Sequence, residues 1–321
     1  MNAGDSRQLR LIVTAKDQIA EEIFMFELRS PLGGDLPAFT PGAHITVTTP
    51  SGQKRRYSLC NDAQERSRYV IAVKREHTGR GGSLSMTTKV EEGAELDIEP
   101  PANDFEMTAA EPKSYIFIAG GIGITPIRSM IRHVLRLSTT SFKLFYFTRT
   151  RSMMAFRNEF SAPEFAGKVV LHHDNGDPGQ AYDLWPILEE QRGAHLYCCG
   201  PRGLMDAVRD MTGHWPDSAV HFEDFVGATA NLDTDTPFIV KLARTGKSYE
   251  VPVRASILDT LRRHGHMLAS SCESGTCGTC RTRYLAGEPD HRDLVLSDRE
   301  KRSEIMICVS RAKSPELTLD I

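Results

Sequence analysis

The sequence predicts three domains in series: an antiparallel β-barrel over residues 1–110, a doubly wound α/β domain over 111–227, and, past a linker at 228–236, a small α+β domain over 237–321. Three observations carry that division. Short strand-like runs separated by Gly- and Pro-rich turns fill the first hundred residues. From Lys113 onward, wholly apolar strands alternate with helical stretches. Four of the seven cysteines then fall near the C-terminus, as Cys272-x4-Cys277-x2-Cys280 with Cys308 downstream. A chain of 321 residues has room for two or three domains, and 40% hydrophobic with 25% charged residues marks a globular protein.

In the first segment LRLIVTAK, IFMFELR, AHITVTTP, RRYSLCN and RYVIAVKR alternate or run apolar, with turns such as PLGGDLP, PSGQ and EEGA between them. Short strands at that spacing fold as an antiparallel barrel or sandwich. In the second segment SYIFIAGG, FKLFYFTR, KVVLHHD and HLYCCGP are apolar strands, and ITPIRSMIRHVLRL reads as a helix. Further helices are expected near 153–160 and 183–191. Strands buried on both faces and separated by helices belong to a parallel sheet. VGATANLDTDTP, small and polar without a period, reads as an interdomain linker. FIVKLAR, GKSYEVPV, the helix SILDTLRRHG, the cysteine loop and ELTLDI complete the third unit, with HGH at 264–266 as a helix stop.

The cysteine spacing is that of a plant-type [2Fe–2S] cluster, three thiolates from one tight loop and a fourth from elsewhere. Ser274, Gly275, Thr276, Gly278 and Thr279 are small, which lets backbone N–H groups turn toward cluster sulfurs. Zinc knuckles usually pair two short Cys-x2-Cys hooks, and this run holds one. The chain is therefore expected to move electrons singly.

The strand RRYSLCND carries Arg55, Tyr57 and Ser58, and period two puts Arg55 and Tyr57 on one face, Arg56 and Ser58 on the other. An aromatic against a flavin ring, a hydroxyl near its N5 and a cation for phosphate suit a flavin. GRGGSLSM places Gly81, Gly82 and Ser83 at a helix start, where N–H groups favour a phosphate. Either motif alone is commonly an ordinary strand or turn; together in one β domain they are specific. In the second domain IAGGIGITP sets Gly120, Gly121, Gly123, Thr125 and Pro126 between a strand and a helix, a turn that admits a pyrophosphate, although its spacing departs from GxGxxG. YCCGP ends another strand in Cys199, Gly200 and Pro201, and a soft uncharged thiol there can orient a nicotinamide. The alternative for Cys199 is a small buried residue; Cys60 and Cys198 read as core cysteines. His172 and His173 end a strand at the ligand edge, with surface or core roles favoured.

In this order, Arg55-x-Tyr57-Ser58-Leu59, GRGGS, GGIGITP, CCGP and the four cysteines resemble the ferredoxin-NADP reductase superfamily fused to a C-terminal plant-type ferredoxin. Within it the chain resembles the phthalate dioxygenase reductases, with the vanillate demethylase reductases near them. The resemblance runs from RLIVTAK to LTLDI. It implies a β-grasp ferredoxin domain and a monomer that carries FMN rather than FAD. It also implies a monomer that passes electrons from NADH to a Rieske-type aromatic-ring oxygenase. Carried across residue by residue, it assigns FMN contacts to Arg55, Arg56, Tyr57, Ser58, Ala72, Val73, Lys74, Gly82 and Ser83. It brings Thr125 to the isoalloxazine and stacks Phe225 on the flavin; Ser58, Cys199 and Phe225 surround the reacting atoms. Arg56 is a departure, since the family pattern has Thr there.

Arg149 and Arg151 follow the strand FKLFYFTR and lean toward the 2′-phosphate of NADPH, whereas the resemblance leans to NADH. Net charge of −3 argues against nucleic acid as the main partner. No apolar run reaches the ~20 residues needed to span a bilayer, and the N-terminus lacks a secretory pattern, so a cytoplasmic location is expected. Two rival functions use the same modules: a stand-alone NAD(P)H-dependent quinone or ferric reductase, and a non-enzymatic redox sensor. The oxygenase's own substrate binds another protein and leaves no mark on this chain.

Overall fold

The computed structural model describes residues 8–77, 81–108, 112–137, 140–225, 234–253, 255–270, 275, 278–293 and 295–321. Among them, no helix is long and apolar enough to cross a membrane. Internal contacts divide the chain into two compact units, Met1–Asp224 and Phe225–Ile321.

The first unit holds two sheets. Strands β1 (Leu9–Ala20), β2 (Ile23–Arg29), β3 (His44–Thr48), β4 (Lys54–Ser58), β5 (Tyr69–Lys74) and, after helix α1 (Gly82–Lys89), β6 (Glu95–Ala102) make an antiparallel sheet ordered β4-β3-β6-β1-β2-β5. Its two edges meet where Leu59 bridges Ile71 and Cys60 N–H donates to Val70 O at 2.9 Å. Phe26, Leu28, Ile45, Val47, Leu59, Tyr69, Ile71 and Ile98 fill the interior. This closure is the barrel that short alternating strands predict; it removes the open edges that would otherwise invite pairing.

The second sheet is wholly parallel: β7 (Ser114–Gly120), α2 (Ile124–Val134), β8 (Ser141–Thr148), α3 (Arg157–Phe160), β9 (Val169–His173), α4 (Trp185–Leu188), β10 (Ala194–Cys199), α5 (Arg202–Met211) and β11 (Val220–Glu223). The strand order is β11-β10-β7-β8-β9. From β7 the chain moves one way through β8 and β9, then returns to the other side for β10 and β11. The carboxyl ends of β7 and β10 are therefore a topological switch point, where open α/β sheets bind ligands. Helices α3 and α4 have only four residues each, shorter than expected, and α5 and β11 add elements the sequence reading lacked.

The two sheets are joined mainly through α2. Arg128 NH1 donates to Cys60 O (2.5 Å) and Ser129 Oγ to Asn61 O (2.9 Å), both at the end of the barrel's β4. Glu159 accepts from Arg128 and Arg132, while Arg136 pairs with Asp62 at 2.8 Å. Ile23 and Ala72 of the barrel belong to the same buried cluster as Ile124, Ile127 and Met130 of α2.

The second unit contains β12 (Phe238–Leu242), β13 (Ser248–Val251), α6 (Ile257–Arg263), β14 (Arg281–Ala286), β15 (Pro289–Asp290), β16 (Glu304–Met306), β17 (Arg311–Ala312) and β18 (Glu316–Leu319). A mixed sheet runs β13-β12-β18-β14-β16, with α6 against β13, and β15 and β17 pair separately. Ser256 opens α6 with a reciprocal capping box to Asp259, and Gly265 closes it at φ 83°, the stop that HGH predicts. Asp235, near the end of the expected linker, is held by Arg292 and Arg311, all three nearly buried. Residues 228–233 of the expected linker lie outside the described residues.

The packing gives two glycine substitutions opposite signs. At Gly123 a Cβ would sit 2.2 Å from Cys199 O, and at Gly203, in α5, it would meet nothing within 4 Å. Gly123→Ala should destabilise by about 1–3 kcal/mol through overpacking. Gly203→Ala should stabilise by about 0.4–1 kcal/mol through the unfolded chain. Denaturant midpoints of the full chain followed by far-UV circular dichroism check both signs.

Candidate functional site

The residues expected to hold a flavin gather on one edge of the barrel, where β4, β5 and the start of α1 adjoin. Tyr57 Oη and Ser58 Oγ are both buried and neither has a hydrogen-bond partner among the described residues. A buried hydroxyl left unsatisfied costs about 1–3 kcal/mol, so each is open to a bond from a polar ligand. Burial raises the Tyr57 phenol well above its ordinary range, which keeps it a neutral donor.

Arg55 lies over Gly82, where a Cβ would come within 2.9 Å of its Nε. Its guanidinium also donates to Lys54 O (2.7 Å) and Gln53 Oε1. Gly81 precedes α1 in the left-handed region at φ 85°, and Glu76 N–H donates to Ser83 Oγ at 3.1 Å, tying the end of β5 to the helix start. A cation beside a helix N-terminus is an anion site in the making. Ala72 and Val73 are buried in β5; the Lys74 ammonium pairs with Glu76 at 2.6 Å. Gly79 and Arg80 of the Gly-rich turn lie outside the described residues.

Arg56 has side-chain partners of its own. Its guanidinium is engaged by Asp104 and by His44 Nδ1 (3.0 Å), on the face opposite Arg55. Strand alternation explains this: Thr46 faces Arg56 and His44 faces Ser58 across the β3–β4 pair, so Arg56 reaches the diagonal neighbour. Thr125 stands at the start of α2. Its hydroxyl donates to Ile122 O at 3.0 Å inside its own turn, and the residue is buried.

The nucleotide-side residues converge at the switch point. Gly121 takes φ 55° in a single tight turn, Gly121–Gly123, that packs against β5. A Cβ on Gly120 would lie 2.4 Å from Pro201 Cδ, and one on Gly200 would lie 2.9 Å from the Gly120 backbone. The two turns can therefore meet only as glycines. Pro126 sits in the first turn of α2, where its missing N–H breaks no helical bond. Cys199 is fully buried, and burial, with Glu223 nearby, pushes its thiol well above the ordinary range, so it is uncharged. Burial likewise pushes Cys60 to about 11 and Cys198 to about 12, in keeping with inert core thiols. His173 Nδ1 meets Thr148 Oγ1 at 2.9 Å and His172 Nε2 meets Gln180 O at 2.7 Å. Arg149 and Arg151 are exposed beyond β8.

Sequence reasoning passed over Glu223, which ends β11 opposite Cys199. Its Oε2 is buried without a partner among the described residues, and burial pushes the carboxyl up to about 8. Phe225, two places on, is exposed at 36%. The available signal was position: Glu223 stands at the carboxyl end of a parallel strand.

In the second unit Cys280 and Cys308 are buried. Arg281 pairs with Met306 across β14 and β16, so the two cysteines lie beyond the same end of that pair. Gly275 and Gly278 adopt φ 79° and 82°, and a Cβ on Gly275 would strike Val309 Cγ2 at 2.7 Å. Cys272 and Cys277 lie outside the described residues.

Known proteins match this arrangement throughout. Residues 117–210 match the oxidoreductase NAD-binding domain, and 240–313 match the 2Fe-2S iron-sulfur cluster binding domain. Phthalate dioxygenase reductase of Burkholderia cepacia is 51% identical over 314 residues, 98% of this chain and 97% of that one. Tetrachlorobenzoquinone reductase of Sphingobium chlorophenolicum is 42% identical over 97% of both. A solved phthalate dioxygenase reductase, described as a modular structure for electron transfer from pyridine nucleotides to [2Fe-2S], superposes with TM-score 0.89 over 98% of each chain. By identity, domain content and fold, the chain belongs to the phthalate dioxygenase reductase family, oxidoreductases that join an NAD-binding domain to a [2Fe–2S] domain.

Proposed function

We propose that this protein takes electrons from NADH at the switch point, passes them to FMN on the barrel edge and then to a [2Fe–2S] cluster, and delivers them singly to a Rieske-type aromatic-ring oxygenase. The observation that carries the reading is the meeting of two glycine turns at the ends of β7 and β10, the first of which packs against β5, the strand next to the buried hydroxyls of Tyr57 and Ser58. When bound, FMN exchanges a two-electron hydride for single electrons, which the cluster carries one at a time.

The chain's own residues supply position and charge. Gly120, Gly121 and Gly123 let the backbone approach a pyrophosphate, and the neutral Cys199 thiol gives the nicotinamide an apolar wall beside the sheet edge. Ser58 offers a spare hydroxyl to the ring system, and Arg55 with the Gly81–Ser83 helix start offers charge and N–H groups to the FMN phosphate. Phe225 is read as the aromatic that covers the flavin. Cys272, Cys277, Cys280 and Cys308 are the cluster ligands in this reading. Residues 237–321 carry 14 Lys and Arg against 11 Asp and Glu, so long-range steering toward the oxygenase is weak. Arg281 is partly neutralised by Glu300 and Glu304, at 3.0 and 3.2 Å. The protein acts as a cytoplasmic monomer.

A quinone-reductase reading has one specific support, the 42% identity to tetrachlorobenzoquinone reductase. NADH-driven reduction of free quinones, cytochrome c and a purified Rieske oxygenase separates the two. The oxygenase should be reduced fastest, in a cluster-dependent way, and a quinone outrunning it would make the oxygenase reading wrong.

Cluster ligation has its own test. Cys→Ser at 272, 277, 280 or 308 should abolish iron–sulfur absorbance while NADH still bleaches the flavin, because hard oxygen ligands replace thiolate poorly. Retention of the full visible spectrum in all four variants would remove the ligand assignment. For the flavin, Arg55→Ala should weaken FMN binding by about 1–3 kcal/mol, read by fluorescence titration of the apoprotein. Unchanged affinity would move the phosphate elsewhere.

A further inference from the structure

Away from the crevice, His195 and His221 face each other on neighbouring parallel strands. His195 is the second residue of β10 and His221 the second of β11, so both lie at the amino-terminal end of the sheet, opposite the ligand edge. His195 Nδ1 and His221 Nε2 stand 3.4 Å apart. The ring centroids are 5.6 Å apart and the planes 18° from parallel, so the rings meet edge to edge, nitrogen toward nitrogen. Tyr197 stacks on the His221 ring at 4.3 Å and 15°, and its hydroxyl accepts from Thr108 N–H at 2.8 Å. The His221 ring also hydrogen-bonds to the backbone of Ser218. Both histidines are half-buried, and β11 is the outer strand of its sheet.

A separation of 3.4 Å is long for a hydrogen bond, whose usual range ends near ~3.2 Å. It matches the distance of about 3.3 Å between two imidazole nitrogens that each sit ~2.05 Å from one tetrahedral zinc ion. We propose that His195 Nδ1 and His221 Nε2 form a zinc site that ties the outer strand β11 to β10. In a neutral imidazole one nitrogen carries the proton and the other a lone pair. Zinc takes the two facing lone pairs, with the protons on the outer nitrogens, and a modest tilt of each ring turns those lone pairs onto one point. The bond from His221 to the Ser218 backbone holds its ring, as outer partners of metal-binding histidines do. Burial lowers both imidazoles below their ordinary range, and His195 lowers His221 further, so both are neutral near pH 7, the form that binds metal. Among the described residues no group of three or more His, Cys, Asp or Glu is placed to hold a metal, so water completes the shell. The site is therefore an open one, reversible and weaker than a closed four-ligand centre.

Calorimetric titration of zinc ion into the cofactor-loaded full chain measures the binding, and side-chain NMR with isotope-labelled histidine locates it. The unaltered protein should show a binding event that shifts the His195 and His221 ring signals together. His195→Ala and His221→Ala should each weaken that event by about tenfold or more, since even the loss of an outer-shell partner costs that much. His195→Asn and His221→Gln keep a polar group of similar reach and should weaken it too, which separates ligation from lost packing if an alanine variant folds poorly. Zinc affinity that is unchanged in the variants of either histidine overturns the proposal. So does zinc that binds and leaves the two ring signals in place, an outcome in which the pair is hydrogen-bonded only.

Discussion

At the ends of β7 and β10 two peptide backbones come into direct contact, and the rest of the working arrangement is hung on that meeting. Gly120, Gly123 and Gly200 leave no room for a Cβ, with Cys199 O, Pro201 and the facing backbone closer than any side chain permits. Steric exclusion of this kind cannot be relieved by a rotamer change. It fixes the spacing of the two strand ends, and the spacing creates a crevice where backbone can approach a ligand. Helix α2 begins at the same turn and ties the parallel sheet to the barrel through Arg128 and Ser129, bonded to the carbonyls of Cys60 and Asn61. One turn therefore sets both the meeting of the strand ends and their attachment to the barrel.

The electrostatics of that region are quiet by design of burial. Cys199 and Tyr57 are held neutral, and Arg56 is matched by Asp104. Against that background Glu223 is the one buried acid without a hydrogen-bonding partner for one of its oxygens among the described residues. A charge that appears and disappears during turnover is felt most strongly where few fixed charges screen it. The protein's contribution to the chemistry is placement and field rather than a side chain that bonds to substrate.

The second unit follows a different logic. Its cysteine loop needs glycines in the left-handed region, and Gly275 and Gly278 meet that need. Asp235 is gripped by Arg292 and Arg311, with Arg311 also donating to the carbonyls of Ala255, Thr236 and Pro252. A buried ion network adds little net stability, because desolvation offsets the attraction. It does define one arrangement of the chain entering this unit, since each charge is satisfied only there.

Local patterns that need no distant partner were legible in the sequence. The alternating barrel strands, the apolar parallel strands and the glycine-bearing turns are short-range features, as is the cysteine spacing. Each states its own geometry within a dozen residues. Helices of four residues were overread in length, because periodicity cannot be judged over a single turn. The partners of Arg56 could not be read from its strand, because the tertiary structure brings it to Asp104 and His44, 48 and 12 positions away. The Thr125 hydroxyl donates to a carbonyl three residues back. Glu223 had no motif at all. Its buried, unpartnered oxygen arises from tertiary packing, and a carboxylate's environment exists only once strands distant in the chain are packed around it.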